Sequence, residues 1–585
     1  MRPASRTDRG LIAAAAFGAA ILCAPLAVPA QQPTPLAPAA EPEPASPFEY
    51  SSPTDAPGIE IGELATIDPD SGGMLEESMG GFGVDMWTGT SRATILALLP
   101  QLPAGAESPT MQDLARRLLL STAIAPARAP DDPQTSLIGI RVERLEAMGL
   151  VGAVADMIAI APNRDTDPHL LRAAIDNRLL LDDVSGACDM AAAGKSVLTD
   201  TYGEQIAVFC QAVRGDREAA SFGAGLLRDA GTLDDPVFFA LADALTGTGK
   251  VKIASLKAPT PLHLAMARAV KAKLPADVLG SASPLILRAL ADHPGLGDPE
   301  RLTAAEAAAR AGAIGPRDLA AHYAAVAFTP TDLGKALSRA DGKRGPVERA
   351  LLYQAEGQQT LPVAQASVLQ KALRTAMADG IYPLTVQVYL PVLEQLQPAA
   401  ELSWFAADAA RALLVAGRAD LAVAWAAVPP AAEDAGQQKS AMLLWPLLRL
   451  AEGPARGMDE SGHDAWLAAL GSDEPAANRR VALAYGLMQA LDDPQPDQRW
   501  LALLRGAGRN SAQVPDLAYL RAFRQAAAAG RKAETVLLAL LLLGQDGVAG
   551  MPADSMAEIV DGLNRVDLGE EARRLAIEAA LASGL

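Results

Sequence analysis

Three features of the chain carry residue types that bind phosphate, calcium or zinc, and each departs from the pattern that this chemistry needs. Gly194–Ser196 ends like a phosphate-binding loop, but Asp189 stands where the earlier glycine belongs. Asp68–Gly73 resembles a calcium loop, yet its twelfth position is Met79 instead of a bidentate glutamate. The 5 histidines are scattered, without the i,i+4 pair of a zinc-binding helix. The sequence therefore predicts no metal and no cofactor.

Catalytic patterns are equally incomplete. Neither a Gly-x-Ser-x-Gly turn nor a Ser-x-x-Lys pair, which would activate a serine nucleophile, is present. Tyr485–Gln489 resembles the Gly-Leu-Met-Gln signature of lytic transglycosylases, and this resemblance implies an enzyme that cleaves cell-wall glycan. The catalytic Glu-Ser pair of that family is missing upstream, because Glu474 is followed by Pro475. We therefore predict no catalytic residue and keep the glycan-acting enzyme as an alternative.

The N-terminus has the pattern of a secretory signal peptide. Arginines at positions 2, 6 and 9 precede a short apolar run, Leu11–Leu26. Val28 and Ala30 then supply small residues before Gln31. The pattern predicts cleavage after Ala30 and a periplasmic or secreted mature chain, with no transmembrane segment in it.

Cleavage leaves two cysteines, Cys188 and Cys210. Disulfides form and persist in oxidising, extracytoplasmic compartments. The pair falls on two adjacent predicted helices, Asp182–Ala193 and Tyr202–Val213, whose middles meet if the helices form a hairpin. We predict a disulfide; two buried free thiols are the alternative, since cysteine also packs well in helical cores.

The composition indicates an all-α protein. Hydrophobic residues make up 50% of the chain and aromatic residues only 4%, so alanine, leucine and valine build the core. Alanine and leucine favour helices, and no segment sustains the period of two that strands show. The formal net charge of −19 repels nucleic-acid phosphates, so nucleic acid is not an expected partner.

Composition also divides the chain. After the signal peptide, residues 31–58 are rich in proline and alanine and are predicted to be a disordered linker. Residues 59–84 form a Gly-rich extended segment in which Ile61, Leu64, Ile67 and Leu75 are candidate anchors. Helices are predicted over residues 85–585, with candidate subdivisions near 246–260 and 429–440.

The helical part shows a recurring hairpin pattern. Gly149, Gly215, Gly417, Gly530 and Gly569 follow helix ends and precede polar turns, where left-handed glycine stops a helix. The hairpin units span about thirty to forty residues, the size of tetratricopeptide repeats, although the strict repeat motif is absent. We therefore predict an α-α superhelix, a tetratricopeptide-like, degenerate helical-repeat solenoid.

Two segments near the C-terminus are assigned places in this solenoid. Val536–Leu543 is apolar on every side, which is typical of an inner helix surrounded by protein. The amphipathic segment Glu570–Ala582 is predicted to cap the end of the array.

Trp87 lies at the junction between the Gly-rich segment and the first helix. On a loop it is a candidate anchor for a partner; the other interpretation is that it fastens the loop onto the first hairpin. Trp404, Trp425, Trp445 and Trp466 occupy apolar helices and are predicted to be core residues.

The layout resembles exported, Ala-rich, all-helical proteins of alphaproteobacteria that lack an assigned activity. Met86–Arg92, the Leu99–Pro109 turn and Phe209–Ala212 before Gly215 carry this resemblance. Some members are labelled antifreeze glycopeptide-related, but the chain lacks the Ala-Ala-Thr array that the label implies. We predict an extracytoplasmic scaffold that binds a protein or peptide partner. A purely structural envelope protein is a further alternative.

Overall fold

The computed structural model describes residues 68–585 except 134, 248–250, 281, 454–459, 472–473 and 505–515. The chain divides into two units, Met1–Ala65 and Thr66–Leu585, and the described residues all belong to the second. The predicted signal peptide, the linker at 31–58 and the start of the Gly-rich segment lie outside the described residues. The candidate subdivisions near 246–260 and 429–440 both lie within the second unit.

The described part of the Gly-rich segment is fastened to the first long helix. Two short 3-10 helices, Pro69–Ser71 and Glu77–Met79, punctuate it. Leu75 pairs with Ser121 in an isolated parallel bridge, and the Leu75 N–H donates to the Leu120 carbonyl at 2.9 Å. Leu75 packs against the core, as predicted for an anchor.

The described body of the protein is all-α, as predicted. Its first helices are α1 (Arg92–Leu98), α2 (Pro109–Leu120), α3 (Leu137–Ala147), α4 (Val151–Ile160), α5 (Pro168–Leu180), α6 (Val184–Ala193), α7 (Thr201–Val213), α8 (Arg217–Ala230), α9 (Pro236–Thr246) and α10 (Pro261–Ala269). Those of the middle are α11 (Pro284–Ala291), α12 (Asp298–Arg310), α13 (Pro316–Ala325), α14 (Pro330–Gly334), α15 (Ala336–Gly342), α16 (Pro346–Glu356), α17 (Pro362–Ala378), α18 (Tyr382–Gln395), α19 (Ser403–Val415) and α20 (Ala419–Ala426).

The last helices complete the body and carry the C-terminal core. They are α21 (Ala435–Met442), α22 (Trp445–Glu452), α23 (Glu460–Ala469), α24 (Glu474–Ala490), α25 (Asp497–Leu504), α26 (Leu517–Ala528), α27 (Lys532–Leu543), α28 (Ala553–Arg565) and α29 (Gly569–Ala582). Further 3-10 turns lie at Leu99–Gln101, Ala276–Leu279, Ala400–Leu402 and Gly547–Gly550.

Local sequence explains where many of these helices begin. Ser108, Asp167, Asp235, Thr260 and Ser283 each precede a proline at the first helical position, and each side chain accepts a hydrogen bond from a backbone N–H of the first turn. These side chains satisfy N–H groups that have no partner within the helix, and proline at that position loses no hydrogen bond.

Helix ends follow the predicted glycine pattern with one exception. Gly215, Gly417 and Gly530 have φ of 91°, 73° and 68°, the left-handed conformation. Gly569 was expected to behave in the same way, but it begins α29. Asp567, with φ of 60°, takes the left-handed position instead, which aspartate tolerates better than most residues.

Helices adjacent in sequence pack in pairs, which makes the body a helical solenoid. Well-packed pairs include α5 with α6, α7 with α8, α11 with α12, α19 with α20, and α28 with α29. As predicted, α27 is an inner helix: Val536, Leu537, Leu538 and Leu540 are at most 1% exposed.

The two ends of the described body contact each other. Helices α27 and α29 both pack on α2, and α29 also contacts α19, α22, α24 and α28. The prediction that the last helix caps the outside of the array is therefore wrong. Its carboxylates Glu571 and Glu578 are each 8% exposed, because α2 supplies their hydrogen-bond partners.

Candidate functional site

A cavity of about 960 Å³ opens between α3 and α5. The N-terminal ends of α10 and α11 complete its walls through Thr260, Pro261, Ser283 and their neighbours. We call it the α3–α5 groove. Buried apolar side chains line part of it: Ile140, Val142, Leu170, Leu285 and Ile286. Its ionisable lining residues are Glu143, Glu146, Asp167, His169, Arg172 and Asp176.

Helix periodicity places these ionisable side chains in the groove. Glu143 and Glu146 are three residues apart on α3, and Arg172 and Asp176 are four apart on α5, so each pair shares one helix face. Asp167 caps α5 by accepting from the His169 N–H at 2.9 Å, which fixes where that helix begins.

Asp176 is a buried carboxylate with an incomplete set of hydrogen bonds. Its side chain is 7% exposed, and its Oδ1 accepts from the Tyr202 hydroxyl at 2.7 Å. The nearest cationic atom to Oδ2 is Arg172 Nε at 3.7 Å, longer than a normal hydrogen bond. Burial raises the pKa of Asp176 to about 6, against the opposing effects of Tyr202 and Arg172.

Glu146 is half-buried next to this carboxylate. Its side chain makes no hydrogen bond or ion pair with the part of the chain that the structure describes. Burial, followed by the negative charges of Asp176 and Glu143, raises the pKa of Glu146 to about 7, although Arg172 opposes this shift. Both carboxylates are thus destabilised as anions in the α3–α5 groove.

Arg172 lines the groove and packs against Tyr202 of α7. The Arg172 guanidinium carbon lies 4.4 Å from the centre of the Tyr202 ring, in cation–π geometry. The Arg172 side chain is 49% exposed, whereas Tyr202 is buried beneath it. Arg172 therefore neutralises only part of the negative charge.

The structure brings Cys188 and Cys210 together, as the predicted disulfide requires. Their sulfur atoms are bonded, with the two Cα atoms 5.4 Å apart, and the bridge joins α6 to α7. Both residues are buried. Because α7 also carries Tyr202, the bridge holds a helix that supports the α3–α5 groove.

Trp87 does not present a surface to a partner. It is 8% exposed and belongs to the hydrophobic core. The carbonyl of its neighbour Met86 accepts from the Ala533 N–H at 3.2 Å, which joins this loop to α27. The position fits the interpretation that Trp87 fastens the loop onto helices and not that it anchors a partner.

The incomplete metal and phosphate motifs have structural roles. Gly194–Ser196 forms the turn after α6. In Asp68–Gly73, Asp70 binds the Arg92 guanidinium and accepts from the Ser136 hydroxyl at 2.8 Å and the Ile138 N–H at 3.0 Å. Burial alone would raise the pKa of Asp70, but these bonds together outweigh burial and lower it. No group of three metal-ligating side chains occurs among the described residues.

The segment that resembles a transglycosylase signature lies within α24. Tyr485 is 2% exposed, and its hydroxyl is 2.6 Å from His463 Nε2. Trp466 and Trp445, which stack at 5.5 Å, belong to the same aromatic cluster. The segment therefore contributes to the core, as do Trp425, Trp445 and Trp466, and Trp404 is partly buried against that core.

Sequence reasoning missed Glu146, Arg172, Asp176 and Tyr202. One signal was available in the sequence of α5. Asp176 and Asn177 are polar residues on the buried face of this helix, at positions where the pattern predicts apolar side chains. Nothing in the sequence indicates that α3 and α5 share a cavity with α10 and α11.

Comparisons of the chain with protein-family models, curated proteins and solved structures give no match. Within the described ranges, no helix is both long enough and apolar enough to cross a membrane.

Proposed function

We propose that the protein is an extracytoplasmic helical-repeat scaffold, of tetratricopeptide-like type, that binds a protein or peptide partner in the cell envelope through the α3–α5 groove. The observation that carries this proposal is a cavity of about 960 Å³ that joins apolar walls to two neighbouring carboxylates, those of Glu146 and Asp176. Ligand sites in proteins are typically clefts of roughly 300–1,000 Å³ with this mixture of apolar and polar lining.

The predicted signal peptide and the Cys188–Cys210 bridge support the extracytoplasmic location, since disulfides persist in oxidising compartments. N-terminal sequencing of the protein from an envelope fraction is expected to begin at Gln31. A cytoplasmic protein that still begins at Met1 would contradict this location.

A glycan-acting enzyme gains no support from the segment that suggested it, because Tyr485, Leu487 and Met488 are buried in α24. The groove does hold one hydroxyl beside a base, since Thr260 Oγ1 lies 3.0 Å from His263 Nδ1, but this hydroxyl caps α10 by accepting from the His263 N–H at 3.2 Å.

Site-specific photo-crosslinking tests the proposed function. A benzophenone amino acid replaces Glu143, whose side chain is 61% exposed at the edge of the α3–α5 groove, in the full chain expressed in its source cells. We expect irradiation to give a discrete adduct with one protein. The matched control replaces Glu218, exposed on α8 outside this groove, and should give no such adduct. Equal adducts from both positions, or none from position 143, would contradict the proposal.

A further inference from the structure

We propose that the α3–α5 groove binds a primary ammonium group on an aliphatic chain, the side chain of a partner lysine, between the carboxylates of Glu146 and Asp176. This inference rests on the proposed function and names the chemistry that its site recognises.

The first step is the set of unused hydrogen-bond acceptors. Asp176 Oδ2 has no donor within normal hydrogen-bond distance among the described residues, although its side chain is 93% buried. Glu146 has no side-chain partner in the same part of the structure. Both carboxylates line the cavity, so a ligand that donates hydrogen bonds can reach them. An ammonium offers three donors and a positive charge.

The second step is the charge around the two carboxylates. Glu143 lies on α3 beside Glu146; Asp167, His169 and Arg172 lie on α5. Tyr202 approaches from α7, and the ends of α10 and α11 contribute the hydroxyls of Thr260 and Ser283. The carboxylates that line the groove number four against one lining arginine, and one of the four, Glu143, is also paired with Arg144 at 2.6 Å. The field in the groove therefore attracts a cation and repels an anion.

The third step distinguishes among cations. A guanidinium binds best to a carboxylate that offers both oxygens, but Asp176 Oδ1 is already occupied by Tyr202. A divalent metal needs more ligands than these two carboxylates, and the described residues offer no group of three. Ile140, Val142 and Leu170 provide an apolar wall for the methylene stem of a lysine.

The test uses calorimetry on the full mature chain, with the peptide Ac-Ala-Lys-Ala-NH2 as the probe at pH 8. We expect it to bind at least tenfold more tightly than the same peptide with norleucine, which keeps the stem and lacks the ammonium. Glu146→Gln should weaken binding of the lysine peptide at least tenfold. The control Glu218→Gln should leave it unchanged, and circular dichroism verifies that both variants fold.

The pH dependence gives a second readout that a merely structural role would not produce. The ammonium binds the ionised carboxylates of Glu146 and Asp176, whose pKa values are about 7 and about 6. As the pH falls both carboxylates become protonated, and the ammonium can then bind only if these protons are released. The affinity should therefore fall about tenfold between pH 7 and pH 6, and more steeply below pH 6.

Specific outcomes would overturn the inference. Equal binding of the lysine and norleucine peptides, or lysine binding insensitive to Glu146→Gln, excludes recognition of the ammonium. Free cadaverine that binds more tightly than the peptide assigns the site to a small amine, and displacement of the probe by millimolar magnesium or calcium chloride assigns it to an inorganic cation. If these results appear while position 143 still crosslinks to a protein, the lysine assignment fails and the proposed function stands.

Discussion

Glu146 and Asp176 each show how burying one carboxylate can lower the free energy of unfolding. Each carboxylate is held away from water without a full set of donors, so the folded protein favours the protonated form more than the unfolded chain does. Groups with such shifts often lie in functional sites, where geometry is set by a ligand that the free protein lacks. This cost to stability is what we expect of a binding residue.

The pKa of Glu146 gives a prediction with a definite sign. Its folded value of about 7 lies above the ordinary 4.5, so its contribution to stability is complete below pH 4.5 and is lost as the pH rises through 7. Glutamine at position 146 stays neutral at every pH, so the variant does not lose this stability as the pH rises. Glu146→Gln should raise the free energy of unfolding by about 2 kcal/mol at pH 8 and change it little at pH 4.

Urea denaturation at both pH values measures this difference. Glu143→Gln is a matched control on the same helix; because Glu143 is largely exposed, we expect a small effect at either pH. A Glu146→Gln variant that is less stable than the natural protein at pH 8 would show that the carboxylate is stabilised by a contact in the fold.

At the scale of the helices, local sequence predicts much of what the structure contains. Ser108 and Pro109 mark the start of α2, and Gly417 and Gly530 mark helix ends, because capping and left-handed glycine act within a few residues. The α3–α5 groove is not predictable in this way. It depends on which helices become neighbours, and the walls contributed by α10 and α11 lie far from α3 in sequence.

The α6–α7 hairpin is the element that the disulfide stabilises. The bridge closes a loop with a sequence separation of 22. Replacing both Cys188 and Cys210 with alanine should lower the free energy of unfolding by about 2–4 kcal/mol. Hydrogen exchange should increase first in α6 and α7. The unreduced, denatured natural chain should contain no free thiol, and two reactive thiols would contradict the bridge.

Helix α27 is the element whose interior character was predicted from composition. Leu540 is 1% exposed, and replacing it with aspartate buries a charge without a partner. Leu540→Asp should unfold the C-terminal hairpins, with a fall in helical circular dichroism and in the melting temperature. Leu541→Asp is the milder comparison, because Leu541 is only partly buried. An unchanged melting temperature for Leu540→Asp would show that α27 is not a core helix.

At the scale of the whole described body, the contact between α2 and α29 is the feature that sequence could not reveal. Glu578 accepts hydrogen bonds from the Thr110 N–H at 3.1 Å and the Thr110 hydroxyl at 2.6 Å, and also from the Ser108 hydroxyl. The carboxylate thus sits at the positive N-terminal end of α2. Burial raises the pKa of Glu578, although these hydrogen bonds oppose the shift. Amphipathicity alone suggested an outer helix because it cannot show that α2 provides these donors.

Removing this carboxylate should affect both ends of the chain. Glu578→Ala leaves the Thr110 N–H buried without its partner and should lower the free energy of unfolding by about 2–4 kcal/mol. Hydrogen exchange should increase in α2 as well as in α29. Glu570→Ala, an exposed change on the same helix, should do neither. Faster exchange confined to α29 would contradict the coupling between the two ends.

The contact between α2 and α29 also imposes an order on how the protein is made. Thr110 and Glu578 are 468 residues apart, so the ribosome adds the second on the order of half a minute to a minute and a half after the first. During that interval α2 can pack on α3 but lacks the surfaces of α27 and α29, however well its own cap and apolar face favour a helix. An open array could complete each hairpin as it is synthesised. In this chain α2 completes its packing only after α29 has been synthesised. Until then the nascent protein must be kept from aggregating.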